Sequence, residues 1–262
     1  MGPTIDAAVS HADSAVAVDA QGASVAASVL ITEVALAPNS GEFIEIANLT
    51  AQTVNLSTYY LADSGAYFQL PGGTPALDVN DFIVRFPAGA TIAPGGVVTV
   101  ALDTAANFQT TYGVAPTFSI ASATMTPIAQ SSTPTLTNSG ELIVLFEWDG
   151  HADLVHDVDL VLAGAPTAAN GMVDKSARAI DGPDSDSAAS SYRTDARTMH
   201  AQPTAPAAGS STKRIALETG HEAQGGSGNG IAGDDETSED ISTTWDTAFT
   251  APTPGTLPAA LL

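Results

Sequence analysis

The chain has 262 residues, with 29 acidic against 7 basic side chains, a formal net charge of −22 and no cysteine. A surface this acidic repels phosphate backbones and anionic membranes, so direct nucleic-acid binding would need bridging cations. Without cysteine there is no disulfide, no thiol nucleophile and no thiolate-bound metal. The hydrophobic fraction of 44% is too high for a wholly disordered chain. The length predicts about one or two domains.

The N-terminal segment, residues 1–28, consists mainly of Ala, Asp, Ser and Val and has no Lys, Arg or aromatic residue. This composition predicts a flexible tether, with a helix as the alternative because alanine is abundant. The sequence contains neither a long apolar run nor a basic region followed by an apolar leader. A Met-Gly-Pro start before this spacer is typical of a mature lipoprotein whose lipidated cysteine is replaced by Met; an ordinary disordered N-terminus is the alternative.

From Val29 onward, short runs of β-branched and aromatic residues alternate with turn residues. The strands predicted in the first hundred residues are 29–34, 42–48, 54–56, 59–61, 67–70, 82–86, 91–92 and 97–102. Helical turns are expected over 104–112, and a loop with a short strand near Phe118 over 117–135. The later predictions are strands at 142–146, 154–162 and 212–217, and a strand or 3-10 turn within 241–249.

Strands this short, separated by Gly, Pro, Asn and Asp turns at even spacing, predict an all-β sandwich. Residues 165–211 break the pattern, and a stretch this long without structure is unusual in a compact domain unless it is functional. Within the strand at 154–162, strict alternation places His156 on the core side and leaves Asp157 and Asp159 in solvent.

Several stretches together resemble a bacterial lamin-tail domain. The opening of that family is similar to residues 31–34 (ITEV) and 42–48 (EFIEIAN), followed by VNLS at 54–57 and YLAD at 60–63. Residues 86–96 (FPAGATIAPGG) resemble the family's Pro-x-Gly…Ile-x-Pro-Gly-Gly segment. The closing motifs are similar to DGPDSD at 181–186 and TPG at 253–255.

The resemblance implies an immunoglobulin-like β-sandwich that serves as a binding or structural module, not an enzyme, on secreted or surface proteins of bacteria. We therefore expect one such sandwich over residues 29–256, with a loop insertion at about 165–211, and a C-terminal tail at 257–262. A minimal lamin-tail domain does not need that insertion. The expected location is extracellular or at the cell surface, with membrane attachment only through a lipid anchor. The expected partner is a protein or carbohydrate surface that the residues do not identify.

Two acidic loops are candidate calcium sites, because Ca²⁺ prefers six to eight hard oxygen ligands on a flexible loop. The first loop offers the carboxylates of Asp181, Asp184 and Asp186 around a turn. In the second loop, crowded carboxylates repel one another unless a cation shields them. Its five acids are Asp234, Asp235, Glu236, Glu239 and Asp240. A structural Ca²⁺ is one hypothesis for these loops, and a solvated acidic loop is the other.

For catalysis, the sequence offers no Gly-x-Ser-x-Gly elbow, no HExxH and no Walker loop. The candidate acid–base or metal set is His151 and His156 with Asp153 and Asp157, although alternation on a strand lets only some of them converge. A metal-dependent hydrolase using this set with the insertion acids is the first alternative function. A self-assembling surface or fibre subunit, pairing through edge strands, is the second.

The charge distribution adds expectations about packing. Arg85 is the only basic residue between positions 30 and 164 and is expected to pair with a carboxylate, while the other six bases lie within 165–262 and can pair locally with the acids of that region. Glu33 and Glu45 are expected to face inward or to make cross-strand hydrogen bonds. Four aromatic residues are expected mostly in the core, with a carbohydrate-stacking surface as the alternative: Tyr59, Tyr60, Tyr67 and Trp148.

Overall fold

The computed structural model describes residues 29–164, 173–193, 205–217, 236–238 and 241–262. The predicted tether at 1–28 and parts of the insertion lie outside these residues. The strands are β1 (Val29–Ala35), β2 (Phe43–Asn48), β3 (Val54–Asn55), β4 (Tyr59–Ala62), β5 (Phe82–Arg85), β6 (Thr91–Ile92), β7 (Val97–Ala101), β8 (Phe118–Ser119), β9 (Thr126–Gln130), β10 (Gly140–Glu147), β11 (His156–Gly164), β12 (Ala179–Ile180), β13 (Ser190–Ser191) and β14 (Thr212–Lys213). The helices are α1 (Ala105–Tyr112) and α2 (Ile241–Thr244), with 3-10 helices at Asn39–Gly41, Tyr67–Gly72, Glu236–Ser238 and Ala259–Leu261.

Two five-stranded sheets form the sandwich, in the orders β14-β1-β2-β7-β8 and β11-β10-β4-β5-β9. Their apolar side chains pack into one main core cluster between them. Neighbouring strands are antiparallel except for β7 and β8, which run parallel. Two further pairs, β3 with β6 and β12 with β13, form small two-stranded sheets. The predicted all-β immunoglobulin-like sandwich is confirmed. None of the helices in the described ranges has the length and apolar character needed to span a bilayer.

Helix α1 lies where helical turns are predicted, and its ends show why. The Thr104 hydroxyl accepts a hydrogen bond from the Asn107 N–H, which caps the helix start, and Gly113 takes a left-handed φ of 76° at its end. Its one buried side chain, Phe108, packs edge-on against Phe43 of β2 with ring centroids 5.7 Å apart. This contact attaches the helix to the first sheet.

Some element predictions are wrong. Residues 67–70 form a 3-10 helix, not a strand, because the N–H of Tyr67 and of Gln69 each bond a carbonyl three residues earlier. The expected loop at 117–135 contains β9, which pairs with β5 despite Pro127. The insertion contains the β12–β13 hairpin, and residues 241–244 form α2. Only the first two residues of the strand expected at 212–217 belong to a strand.

The predicted sidedness of β11 is also wrong. His156 is exposed, whereas Asp157 and Asp159 are only 1% and 0% exposed. Strict alternation fails because the register with β10 shifts between Leu145 and Phe146. The two aspartates are covered because Lys175 and Arg214, from the second half of the chain, pack onto them.

Candidate functional site

Three aspartates lie close enough together to share a cation. Asp153, Asp181 and Asp184 each offer one carboxylate oxygen, and these oxygens lie within 4.8 Å of one another. Asp153 is buried, while Asp181 and Asp184 are exposed. Three carboxylates supply half of the six oxygens that Ca²⁺ minimally takes, so water or carbonyl oxygens would complete the shell.

Asp153 is positioned by the β12–β13 hairpin. Its Oδ1 accepts a hydrogen bond from the Gly182 N–H at 2.7 Å, and its Oδ2 accepts one from the Ser190 N–H at 2.9 Å. These bonds, chiefly that from Gly182, lower the pKa of Asp153 below its usual value. Glycine is required at 182, since a Cβ there would lie 2.8 Å from the Ala152 carbonyl oxygen. The hairpin is thereby fixed to the loop before β11.

The structure brings together only part of each predicted set. Asp181 and Asp184 lie beside Asp153, which was predicted to belong to the His/Asp set. Asp186 lies outside this group; it is exposed and accepts a hydrogen bond from the Ala188 N–H. In the second acidic loop, Glu236 is described and is buried. The other four predicted ligands of that loop lie outside the described residues: Asp234, Asp235, Glu239 and Asp240.

The predicted His/Asp catalytic set does not converge. His151 and His156 are exposed, while Asp153 binds the hairpin backbone and Asp157 is buried against Lys175. Over the ranges that the structure describes, the residues able to share a metal ion are three aspartates and include neither histidine.

Two buried ion pairs occupy β11. Lys175 Nζ lies 2.7 Å from Asp157 Oδ2, and the Tyr67 hydroxyl donates to Asp157 Oδ1 at 2.7 Å. Arg214 Nη2 donates to both oxygens of Asp159, at 2.7 and 2.8 Å. Both bases thus pair with aspartates of β11, which precedes the 165–262 region in which the bases lie.

The Arg214–Asp159 pair also joins the two sheets. Asp159 Oδ2 accepts a hydrogen bond from the Ile31 N–H, and Arg214 Nε donates to the Ile31 carbonyl at 2.8 Å. The guanidinium lies over the Trp245 ring, 5.1 Å from its centroid. The buried charge is offset by the carboxylate of Asp159, while the Ile31 carbonyl accepts from Nε.

Arg85 does not make the expected carboxylate pair within the described residues. Its Nε donates to the Ser57 carbonyl at 2.8 Å, and its guanidinium lies 5.7 Å from the Tyr60 ring centroid. By contrast, the inward orientation expected for Glu33 and Glu45 is confirmed, since both are fully buried.

A second group of carboxylates is buried without a basic partner among the residues that the structure describes. Burial raises the pKa of Glu42 and of Glu141 to about 7, and raises that of Asp63 well above its usual range. Mutual repulsion adds to the effect, because Glu141 lies near both of the others. Glu42 Oε1 and Asp63 Oδ2 have no hydrogen-bond partner among the described residues.

An open groove with a volume of about 560 Å³ lies beside the aspartate cluster. One side of the groove is formed by the 3-10 helix at Tyr67–Gly72 and the loop that follows this helix. The other side is formed by strand β12, with Arg178 and Asp181 in the wall. The aromatic residues considered for carbohydrate stacking are mostly in the core, as expected: Tyr59, Tyr60 and Tyr67 are buried and Trp148 is half-buried.

The chain is similar to a known family and to a solved structure. A family model described as Lamin Tail Domain matches residues 22–160. Among solved structures, the chain is similar to a DUF4876 family protein from Bacteroides thetaiotaomicron VPI-5482, with 14% sequence identity and a TM-score of 0.47, covering 89% of this chain and 75% of that chain. No curated protein matches. The family match ends within β11, so Lys175 and Arg214 lie beyond it.

Proposed function

The chain belongs to the lamin-tail domain family, and we propose that it acts as a non-enzymatic binding or structural module. The proposal rests on the burial and the ion pairing of the two carboxylates of β11. Asp157 and Asp159 are buried and occupied by Lys175 and Arg214. A carboxylate that acts in catalysis has to reach its substrate, and these two hold the sandwich together instead.

The competing hypothesis is a metal-dependent hydrolase built on the three-aspartate cluster. We expect no turnover of phosphodiester or carboxylic-ester substrates by the full chain, with or without Ca²⁺, Mg²⁺ or Mn²⁺. Turnover that disappears in Asp181→Asn and in Asp184→Asn, but persists in Asp186→Asn, would overturn the module proposal. Asp186 is a matched control because it lies in the same loop outside the cluster.

The finer proposal is that Ca²⁺ stabilises this module at Asp153, Asp181 and Asp184. Two exposed carboxylates beside a buried one repel each other, and a divalent cation relieves that repulsion. The ion would fix the β12–β13 hairpin beside the open groove. The groove is then a candidate contact surface for the protein or carbohydrate partner.

We further propose an extracellular or cell-surface location on a bacterial protein, with a lipid anchor as the means of membrane attachment. The support is the family membership and the acidic composition. Fractionation of the source cells tests the location: recovery of the protein only from the soluble cell interior would contradict it.

Self-assembly through edge strands stays a separate hypothesis. The edge strand β9 carries Pro127, and its register with β5 shifts between Ile83 and Val84. Both features discourage edge-to-edge pairing. We therefore expect light scattering to report a monomer across concentrations, and growth of the apparent mass with concentration would favour a fibre or surface-layer subunit.

A further inference from the structure

The Lys175–Asp157 pair is the most enclosed amine–carboxylate contact in the described part of the chain. Lys175 Nζ lies 2.7 Å from Asp157 Oδ2, and the two side chains are 0% and 1% exposed. The Tyr67 hydroxyl touches both partners, at 2.7 Å from Asp157 Oδ1 and 3.3 Å from Lys175 Nζ. Asp157 accepts no other hydrogen bond from the described residues.

Two aromatic rings lie close to this pair. The amine lies 5.8 Å from the Tyr67 ring centroid, and that ring packs against Phe146 at 5.2 Å. Keeping two charges away from water is costly. Transfer of one proton along the short contact gives a neutral amine and a neutral carboxylic acid, which are the forms that react with each other.

We propose that Lys175 and Asp157 condense after folding to form an intramolecular isopeptide bond. The amine nitrogen attacks Cγ of Asp157, the new C–N bond forms, and the Cγ–Oδ2 bond breaks. Of the three ammonium protons, one stays on the amide nitrogen and two leave with Oδ2 as water. Atoms and charge therefore balance without an oxidant, a cofactor or another reactant.

The geometry supplies two of the requirements of this reaction. The amine and the carboxyl group are held in contact, which replaces an encounter in solution and raises their effective concentration by orders of magnitude. The Tyr67 hydroxyl donates to Oδ1, the atom on which negative charge develops when the amine attacks. The product is a neutral amide, which removes two charges from the interior.

Among the described residues, Arg214 and Lys213 do not meet these requirements. Arg214 is equally buried against Asp159, but its guanidinium keeps its proton and is not a nucleophile. Lys213 lies 3.7 Å from Glu33 and its side chain is 14% exposed, so water reaches its ammonium group. The bond would tie β11 to the segment just before β12, in a chain without disulfides. This inference is independent of the proposed module function.

The test is the intact mass of the purified full chain. We expect a mass lower than that of the sequence by one water molecule, and a branched peptide joining residues 157 and 175 after proteolysis. Lys175→Arg keeps the charge but cannot form the amide, so it should show the full mass, while Lys213→Arg should keep the water loss. Tyr67→Phe should slow the condensation and leave a fraction of unlinked chain.

One alternative source of water loss has to be separated. Asp149-Gly150 and Asp181-Gly182 are sequences that can dehydrate to a succinimide. A succinimide reopens in mild base or hydroxylamine, whereas an isopeptide bond survives both. A wild-type mass equal to that of the sequence, or a water loss mapped to either Asp-Gly site, would overturn the proposal without any reliance on a variant that folds.

Discussion

Glu33 of β1 and Glu45 of β2 are direct cross-strand partners, and both are fully buried. Like charges opposite each other destabilise a sheet. Here the C-terminal segment relieves the conflict: Thr253 N–H donates to Glu33 at 2.9 Å and Gly255 N–H donates to Glu45 at 2.7 Å. The two glutamates therefore hold the Thr-Pro-Gly motif against the first sheet.

A first prediction concerns this attachment. The Thr253 hydroxyl donates to Glu33 Oε2 at 3.0 Å, and its removal in Thr253→Ala leaves a buried carboxylate oxygen with one donor fewer. We expect a loss of about 1–3 kcal/mol in the free energy of unfolding, measured by urea denaturation. Thr256→Ala is the control, because no hydrogen bond of the Thr256 side chain contributes to this attachment. Equal stability of the two variants would show that the contact contributes nothing.

A second prediction concerns pH. Burial raises the pKa of Glu42, Glu45 and Glu141 to about 7, above the value of an unfolded chain. The native state thus holds more protons than the unfolded state between about pH 4.5 and pH 7. The free energy of unfolding should fall across that interval, by up to about 1.4 kcal/mol per pH unit for each group, and then level off.

Urea midpoints at pH 5 and pH 8, at constant ionic strength, measure this slope. Glu42→Gln should make this slope shallower, because a neutral amide replaces one of the carboxylates. The amide is tolerated there because Glu42 Oε1 has no hydrogen-bond partner among the described residues. Asp186→Asn removes an exposed charge and should leave the slope unchanged. Stability that rises from pH 5 to pH 8 would contradict the assignment of raised pKa values.

A third prediction concerns Arg214. Arg214→Met removes the partner of buried Asp159 and should cost roughly 3–5 kcal/mol in the free energy of unfolding. Adding Asp159→Leu should recover part of that loss, because the second change removes the uncompensated charge. Arg85→Met serves as the control for removing a base, since Arg85 makes no carboxylate pair in the described part of the chain. A loss no larger than the control's would argue against a structural ion pair.

A fourth prediction concerns calcium. Millimolar Ca²⁺ should raise the thermal midpoint of the chain after EDTA treatment, and both Asp181→Asn and Asp184→Asn should abolish the rise. Asp186→Asn should retain it, because that side chain lies outside the group of three aspartates. The same midpoint with Ca²⁺ and with EDTA would leave these aspartates as a solvated acidic loop.

Local sequence patterns predicted much of the sandwich. The β-branched runs of β1, β2, β7 and β10 are strands in the structure, and α1 lies where helical turns were expected. Such patterns succeed because side-chain periodicity and turn chemistry act over a few neighbouring residues. They missed β9, since Pro127 and polar neighbours conceal a strand that is defined by its pairing with β5.

Local residue patterns were enough to predict the fold class, the family and the acidic, cysteine-free character of the chain. Which charges are buried, and what they contact, depends on residues that are distant in sequence and meet only in the folded chain. Lys175 meets Asp157 across 18 positions, Arg214 meets Asp159 across 55, and Thr253 meets Glu33 across 220. Alternation along β11 wrongly predicted solvent exposure for both aspartates, because it takes account of neither the register shift with β10 nor the distant residues that cover the strand. The grouping of Asp153 with Asp181 and Asp184 was likewise not predicted, because the hairpin that brings them together folds back from a later part of the chain.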